Sequence, residues 1–324
     1  MATDLSVFEE AAVATMVETF VSSENDMLLL CTPKVELKTT VSDRDLDGAA
    51  KFNTQSGASA ATARYVRAYA TRSNPVVKEA RIPLTNKQYR DVLAGGGYDI
   101  GVEIGGMLGR NALGEISDDW FSLAGSVRSV AHPENGVSGS GYAAVGGGTV
   151  YYADNFDMTG VNGDAYTQTN DYTLPFNAAN LDTLLVGRRG YKNRDGKPRM
   201  PQGKPYLLLP AGLERLGLAL ANQSGRFFNG ADAELGFAGS LAGVIVPPSG
   251  TFASDAWSLY WPTPKRDPAS GAETVDGPIR SHIRLVPSVR IAEATDGNYF
   301  NVIVEFEYYN YLASFEGNYF YSEP

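Results

Sequence analysis

Few residues in this chain have side chains suited to acid–base or metal chemistry. Among its 324 residues there are two histidines, His132 and His282, and one cysteine, Cys31. Two isolated histidines without a thiolate partner make a poor metal site or general base, and a single cysteine cannot form an intrachain disulfide. We therefore expect these three residues to be structural. The chain is predicted to have no catalytic residues, no metal site and no cofactor, and not to be an enzyme.

One acidic stretch resembles a known metal-binding motif. DRDLDG, residues 43–48, is similar to the opening of a calcium-binding EF-hand loop. An EF-hand also needs a glutamate at the twelfth position, where this chain has Thr54, and flanking helices, which are not evident. We interpret Asp43, Asp45 and Asp47 as a solvated acidic segment and keep calcium binding as the alternative.

A glycine-rich stretch invites comparison with phosphate-binding loops. GGGYDIGVEIGG, residues 95–106, is not followed by the Gly-Lys-Ser/Thr of a P-loop. The dinucleotide-binding fingerprint needs a buried strand before the glycines, whereas RDVLA is short and flanked by polar residues. No Gly-x-Ser-x-Gly motif occurs either. The motifs therefore do not predict an enzyme.

The distribution of charge is more informative than any motif. The chain carries 27 basic and 37 acidic residues, a net charge of −10, which disfavours a general nucleic-acid binder. Residues 1–60 contain ten acidic and four basic residues, whereas 64–90 contain seven basic residues and one acid. Residues 188–204 again contain seven basic residues and one acid, and 291–324 contain six acids and no base. Blocks of alternating sign favour complementary contacts between copies of the chain.

The second half of the first charge block contains few large apolar residues. Residues 32–62 are rich in Asp, Ser, Thr, Gly and Ala, so this segment cannot build a core of its own. We predict an arm or loop that becomes ordered by something outside the chain. The candidate intersubunit contact residues lie in and beside it: Asp43, Asp45, Asp47, Arg64, Arg67, Arg72 and Lys78.

Helical spacing of apolar residues predicts four helices. They cover residues 5–20, 98–117 and 177–186, and the stretch AGLERLGLAL at 211–220, which follows a buried strand, PYLLL, bounded by two prolines. The second helix carries a glycine every four residues, at 97, 101, 105 and 109. Because each internal glycine costs about 1 kcal/mol of helix propensity relative to alanine, we expect another backbone to approach this face closely.

The other elements are predicted strands. Residues 63–90 are extended, with RSNP as a turn between two strands, and we predict a hairpin there. WSLYW, IRLVPSVRIAEA and NYFNVIVEFEYY form the β-rich C-terminal part. The last of these alternates Phe300, Val302, Val304, Phe306 and Tyr308 with mostly polar residues, which predicts a half-buried hairpin.

The order of these elements resembles the major capsid (head) protein of tailed bacteriophages, whose fold is shared with encapsulin shells. The resemblance rests on ARIPLTNKQYRD, the long helix YDIGVEIGGMLGRNALGEISDDW, NLDTLLV, and PYLLLPAGLERLGLAL, followed by the C-terminal hairpin. It implies an α+β fold. The implied divisions are an N-terminal arm at 1–50, an extended loop at 51–85, a peripheral domain at 86–174 with a spine helix at about 98–117, an axial domain at 175–255, and return strands at 256–324.

The resemblance also implies a function. A head protein self-assembles into pentamers and hexamers of an icosahedral shell that encloses viral DNA, so the implied partners are copies of the chain, with portal, scaffolding and cement proteins. Contact with packaged DNA would be weak and non-specific. The N-terminus, MATDLSVFEE, lacks the features of a signal peptide, and no segment approaches a membrane span of roughly 18 apolar residues. We expect assembly in the bacterial cytoplasm, a place in the virion, and no membrane contact.

Three alternatives remain open at this point. An encapsulin-like compartment would share the fold. A β-rich glycan-binding or glycan-processing protein is suggested by Trp120, Trp257, Trp261 and eighteen tyrosines. Another virion component, such as a tail or decoration protein, agrees less well with the long helix and the mid-chain helices.

Overall fold

The computed structural model describes most of the chain. The described residues are 2–35, 41–47, 67–73, 76–129, 156–159, 165–191, 203–223, 226–229, 232–266, 271, 273–293, 300–312 and 319–324. Of the predicted contact residues, Arg64 lies outside these ranges. Most of the predicted arm or loop at 32–62 also lies outside them.

Helices occupy the positions that the apolar spacing predicts. In the described ranges they are α1 Ala2–Ser22, α2 Asp26–Leu30, α3 Asn86–Asp91, α4 Gly97–Gly125, α5 Ala178–Gly190 and α6 Glu214–Asn222. A π-helical turn, Val92–Gly96, joins α3 to α4, and short 3₁₀ turns lie at Val127–Ser129 and Ala211–Leu213. The predictions at 5–20, 98–117, 177–186 and 211–220 are confirmed, although α4 continues to Gly125. The short helices α2 and α3 were not predicted.

Strands make up much of the remaining structure. The described strands are β1 Lys34–Val35, β2 Val41–Asp47, β3 Arg67–Ser73, β4 Val76–Leu84, β5 Phe156–Thr159, β6 Ala165–Gln168, β7 Asp171–Tyr172, β8 Tyr206–Leu208, β9 Arg226–Asn229, β10 Asp232–Leu235, β11 Gly243–Ile245, β12 Trp257–Tyr260, β13 Thr263–Arg266, β14 Glu273–Asp276, β15 Ile279–Glu293, β16 Phe300–Leu312 and β17 Tyr319–Ser322. The mixture of helices and strands agrees with the α+β class.

The chain divides into two compact units. Unit 1 comprises Met1–Val41, Ser73–Trp120 and Arg280–Tyr311. Unit 2 comprises Ser42–Arg72, Phe121–Ile279 and Leu312–Pro324. Each unit therefore combines segments that are distant in sequence.

Unit 1 is built on a four-stranded sheet with the order β1-β15-β16-β4. β4 pairs antiparallel with β16, so that Ile82 lies opposite Val302, and β1 pairs parallel with β15. The hydrophobic core joins this sheet to α1 and α4, and its buried members are Phe8, Ala12, Met16, Leu84, Val92, Leu108, Val289, Val302 and Val304. The inward positions predicted for Val302 and Val304 are thus confirmed.

α1 packs directly on the glycine face of α4. A Cβ atom added to Gly101 would lie 2.7 Å from the carbonyl oxygen of Phe8, and one added to Gly109 would lie 2.5 Å from that of Met16. A Cβ atom added to Gly105 would overlap Ala12. The four-residue steps match in both helices and in the same direction, so the helices run parallel. The predicted close approach of another backbone is confirmed, and that backbone belongs to the same chain.

The strands predicted within 63–90 are present, but the prediction that they pair with each other is wrong. β3 pairs with β2, whereas β4 is the edge strand of the unit 1 sheet. The physical reason is burial, because Leu84 is only 1% exposed and packs with Ile82 against the unit 1 core. β4 gains more by covering this core than by pairing with a neighbouring polar strand.

Unit 2 is built on a five-stranded sheet with the order β11-β8-β12-β17-β7. β8 is the buried strand predicted between Pro205 and Pro210, and it pairs with β11 in parallel and with β12 antiparallel. After Pro210 the chain turns into α6, where Gly217 lies so close to Leu209 that any added Cβ would overlap its side chain. The strand–proline–helix stretch is therefore a packing element.

β17 fills a central position in the unit 2 sheet, and Arg128 holds it to β7. The Arg128 Nε donates hydrogen bonds to both carboxylate oxygens of Asp171, at 2.7 and 2.9 Å. Its Nη1 donates to Glu323 Oε2 at 2.9 Å, and its Nη2 to the Tyr172 carbonyl at 2.8 Å. The guanidinium also lies 5.2 Å from the centroid of the Tyr321 ring. Burial raises the pKa of the Asp171 carboxyl, and Arg128 opposes that rise.

Replacing Arg128 tests this arrangement. We expect Arg128→Met to lower the free energy of unfolding at pH 7 by about 2 kcal/mol, because it leaves the Asp171 carboxylate without its guanidinium partner. Without Arg128 the pKa of Asp171 rises further, so the loss is full above that pKa and shrinks as the pH falls and the carboxyl becomes protonated. Urea unfolding at several pH values measures both effects.

The exposed Arg189 of α5 supplies the matched control. Arg189→Met should change the unfolding free energy by no more than about 0.5 kcal/mol at any of these pH values. Equal effects of the two substitutions would contradict the role given to Arg128.

Candidate assembly surfaces

The predicted acidic and basic contact residues lie on two paired strands. Asp43, Asp45 and Asp47 occupy alternate positions of β2, and Arg67 and Arg72 lie on β3. β2 and β3 form a two-stranded sheet, to which no third strand is added in the described part of the chain. The strands that carry parts of the acidic and basic blocks therefore pair within one chain. Whether these residues also contact another copy stays a prediction.

The calcium alternative does not agree with this conformation. An EF-hand loop curves around the ion between two helices. Residues 43–47 instead lie in an extended strand paired with β3. In the described residues no group of three or more histidine, cysteine or carboxylate side chains is placed to bind a metal ion.

Lys78, the seventh predicted contact residue, lies at the junction of β4, α4 and β16. Its Nζ donates a hydrogen bond to Glu115 Oε2 at 2.9 Å and lies 3.6 Å from Asp119 Oδ2. The Tyr308 hydroxyl donates to the same Asp119 carboxylate. The hydrogen bond to Glu115 is the main cause that raises the pKa of Lys78, and burial together with Asp119 raises the pKa of Tyr308. The charge of Lys78 is thus engaged within the chain.

The exposed side of α4 is mostly acidic. Asp99 and Glu103 are four residues apart near its start, and Glu115 and Asp118 are three apart further along; all four are exposed, as is Arg110 between the two pairs. Desolvation, together with the charges of Glu115 and Asp119, raises the pKa of Asp118. This excess of negative charge favours a cationic neighbour, and Lys78 already fills that role at Glu115.

A row of charges crosses the unit 1 sheet. Glu79 of β4 lies directly opposite Glu305 of β16, a pairing of like charges that is unfavourable by itself. Arg290 of β15 donates to Glu305 at 3.0 Å, and Arg81 donates to Glu79. These two arginines compensate the repulsion and lower the pKa of Glu79, Arg81 being the main cause. The row is mostly exposed, and β4 carries charged residues and Pro83 at the edge, which opposes pairing with a further strand.

The described histidine and the cysteine are in the interior. His282 is 4% exposed, and its Nε2 lies 3.0 Å from the Tyr311 hydroxyl, while Cys31 is 1% exposed. Both positions agree with the structural roles expected from the sequence. His132 lies outside the described residues.

The tryptophans that suggested glycan binding are buried. Trp120 and Trp257 are 0% exposed and Trp261 is 3% exposed. The Trp257 Nε1 donates to the Leu174 carbonyl at 2.7 Å, and Trp261 packs edge-on against Phe320 at 5.7 Å between ring centroids. None of the three rings is available to stack on a sugar, so the tryptophans no longer support that alternative.

Three residues that form these polar contacts were not predicted from the sequence. Glu115 and Asp119 are four apart on α4, a spacing that puts two carboxylates on one side of a helix and signals a shared cation. Arg128, by contrast, has partners 43 and 195 residues away along the chain, and no local pattern points to them.

None of the helices in the described ranges is long and apolar enough to cross a bilayer.

Comparison with solved structures identifies the fold. The chain is similar to a chain of the procapsid of bacteriophage JBD30, with a TM-score of 0.51 and 11% identity over 100% of this chain and 76% of that one. It is also similar to a virus-like particle from Pyrococcus furiosus (TM-score 0.48, 9% identity, 97% and 98% of the two chains). A phage-related protein from Bordetella bronchiseptica RB50 matches with a TM-score of 0.48 and 8% identity over 95% of each chain.

At these identities the likeness is one of fold, and the procapsid chain, which matches over the whole of this chain, carries it. The α+β phage capsid fold implied by the resemblance is thereby confirmed. No protein-family model and no curated protein sequence matches the chain.

Replacing Lys78 separates its intrachain role from a contact between copies. We expect Lys78→Met to lower the unfolding free energy of the isolated subunit by about 0.5–1 kcal/mol at pH 7, because the ion pairs with Glu115 and Asp119 are partly exposed. Since the folded pKa is raised above the ordinary 10.5, this contribution is complete below pH 10.5 and is lost as the pH rises through the folded value.

Urea unfolding at pH 7, 9 and 11.5 measures this contribution, with exposed Lys87→Met as the control. If Lys78→Met did not lower the unfolding free energy at pH 7, the intrachain role would be contradicted. A loss of unfolding free energy that is larger at pH 11.5 than at pH 7 would also contradict it.

Proposed function

We infer that this chain, which shares the fold of a phage procapsid chain, is a structural subunit that assembles with copies of itself into a closed shell. The observation that carries this proposal is the likeness over the whole chain to the JBD30 procapsid chain. The buried tryptophans, histidine and cysteine support a structural role, because they leave no exposed group suited to catalysis at those positions.

In finer detail, the subunit forms pentamers and hexamers of an icosahedral head that encloses viral DNA. The proposed divisions are those implied by the resemblance: arm 1–50, extended loop 51–85, peripheral domain 86–174, axial domain 175–255 and return strands 256–324. Portal, scaffolding and cement proteins are the proposed further partners, in a head assembled in the bacterial cytoplasm. The net charge of −10 favours weak, non-specific contact with the packaged DNA.

The two-stranded sheet of β2 and β3 supports a contact between copies. A two-stranded sheet is marginally stable in water unless another surface covers it. A neighbouring copy would provide that surface, and Asp43, Asp45, Asp47, Arg67 and Arg72 would fix its position through charge. The ordering of this segment costs entropy, so each contact is modest and the closed shell is stable through the large number of contacts.

Assembly of the purified protein tests the proposal. We expect the wild-type chain to sediment as large particles and to form closed shells in negative-stain micrographs. Reversing three charges of the first basic block, with Arg64→Glu, Arg67→Glu and Arg72→Glu together, should reduce the shell fraction at least tenfold, because complementary contacts become repulsive.

Two measurements keep this result interpretable. Lys87→Glu changes an exposed charge on α3 and should leave assembly unchanged. Urea unfolding of the triple variant then shows whether the subunit itself remains folded. A wild-type chain that stays monomeric at high concentration would refute the shell proposal, whereas a triple variant that assembles normally would refute only the assignment of these arginines.

A further inference from the structure

The first half of α4 is a poor helix by its composition. α4 contains seven glycines, and five of them lie between Gly97 and Gly109. Each internal glycine disfavours the helical state roughly fivefold relative to alanine. Helices in water are in any case marginal without tertiary packing. The segment Gly97–Gly109 therefore needs an external partner to be helical.

α1 is that partner, and it fits only a surface without side chains. The carbonyl oxygens of Phe8 and Met16 lie where the Cβ atoms of Gly101 and Gly109 would project, at 2.7 and 2.5 Å from those positions. Ala12 fills the same place at Gly105. The three α1 residues are each 0% exposed. At such a separation the glycine Cα–H groups face the α1 carbonyl groups directly.

α1 is also fixed at its sides and at its end. The Glu9 carboxylate accepts a hydrogen bond from the backbone N–H of Ile291 in β15, at 3.1 Å. After α1 only three residues precede α2, and the Asn25 side chain there accepts a hydrogen bond from Ser117 of α4 at 3.0 Å. The short connection keeps α1 on the α4 of its own chain.

The second half of α4 has more support that is independent of α1 than the first half, whose only core member besides the α1 contact is Leu108, with Ile100 and Ile104 partly buried beside it. Ile116 and Trp120 are 0% exposed. Asn310 of β16 donates to the Ile116 carbonyl at 2.9 Å, and Tyr308 donates to Asp119. Glycine occurs once in this part before the terminal Gly125, at Gly114, where an added Cβ would meet nothing within 4 Å.

We propose that α4 is helical from Gly97 to Gly109 only while α1 is docked, so that these two segments open together while the rest of α4 stays formed. The fold thus contains a conformational switch in which α1 is the control element. A protease or binding partner that removed α1 would shorten α4 from its N-terminal end. The proposal does not depend on shell assembly.

Hydrogen exchange on the wild-type subunit tests the coupling directly. In low concentrations of urea, the amides of α1 and those of residues 101–109 should show protection factors that agree within about threefold and fall together. Amides of residues 116–120 should be protected at least tenfold more. The proposal would be overturned if the amides of residues 101–109 were as protected as those of residues 116–120 and more protected than those of α1.

Alanine substitution at two glycines of the same helix gives a second test. Gly105→Ala should lower the urea midpoint of unit 1, because the new methyl group pushes α1 away. Gly114→Ala should leave that midpoint unchanged or raise it, because the site is open and alanine favours the helix.

Alanine at the three contact glycines should favour α4 once α1 is undocked. Ala12→Arg places a charge in the buried contact, and circular dichroism should show a helix loss larger than α1 alone would explain. Adding Gly101→Ala, Gly105→Ala and Gly109→Ala to Ala12→Arg should restore part of that signal, because α4 then no longer depends on α1. Failure of this restoration, or equal effects of Gly105→Ala and Gly114→Ala in the otherwise wild-type chain, would overturn the proposal.

Discussion

The backbones of α1 and α4 touch over three successive turns, and the architecture of unit 1 depends on this contact. It brings Phe8 and Met16 into the core beside Val302 and Val304 of the central sheet strand. Because α1 occupies the space of the missing Cβ atoms, the contact leaves no room for a side chain at Gly101, Gly105 or Gly109. The same contact allows a glycine-rich helix of 29 residues to exist.

The two units solve different packing problems. Unit 1 covers a four-stranded sheet with two helices, and its polar junctions are salt bridges near the surface, such as that of Lys78 with Glu115. Unit 2 places aromatic strands at the centre of a five-stranded sheet, and one arginine, Arg128, satisfies the polar groups at its rim. In the described residues both arrangements bury extensive surfaces and leave few polar groups unpaired, which agrees with the structural role proposed above.

Charge has two roles in this molecule. Within the chain it compensates local conflicts, as when Arg81 and Arg290 flank the opposed carboxylates of Glu79 and Glu305. On the exposed side of α4 acidic residues outnumber basic ones, and Lys78 of the first basic block pairs with one of them, Glu115. β2 and β3 pair within one chain. A block of charge in the sequence therefore does not show by itself whether its partner lies in the same copy or in another.

The sequence by itself determined the elements whose cause is local. Apolar spacing located α1, α4, α5 and α6, and the glycine period required a close backbone, because helix propensity and side-chain periodicity act within a few residues. Tertiary structure decided what depended on distant partners: that β4 pairs with β16 and not with β3, and that the tryptophans point inward. Strand pairing and burial depend on contacts with segments that are distant in the sequence. A few neighbouring residues therefore do not determine them.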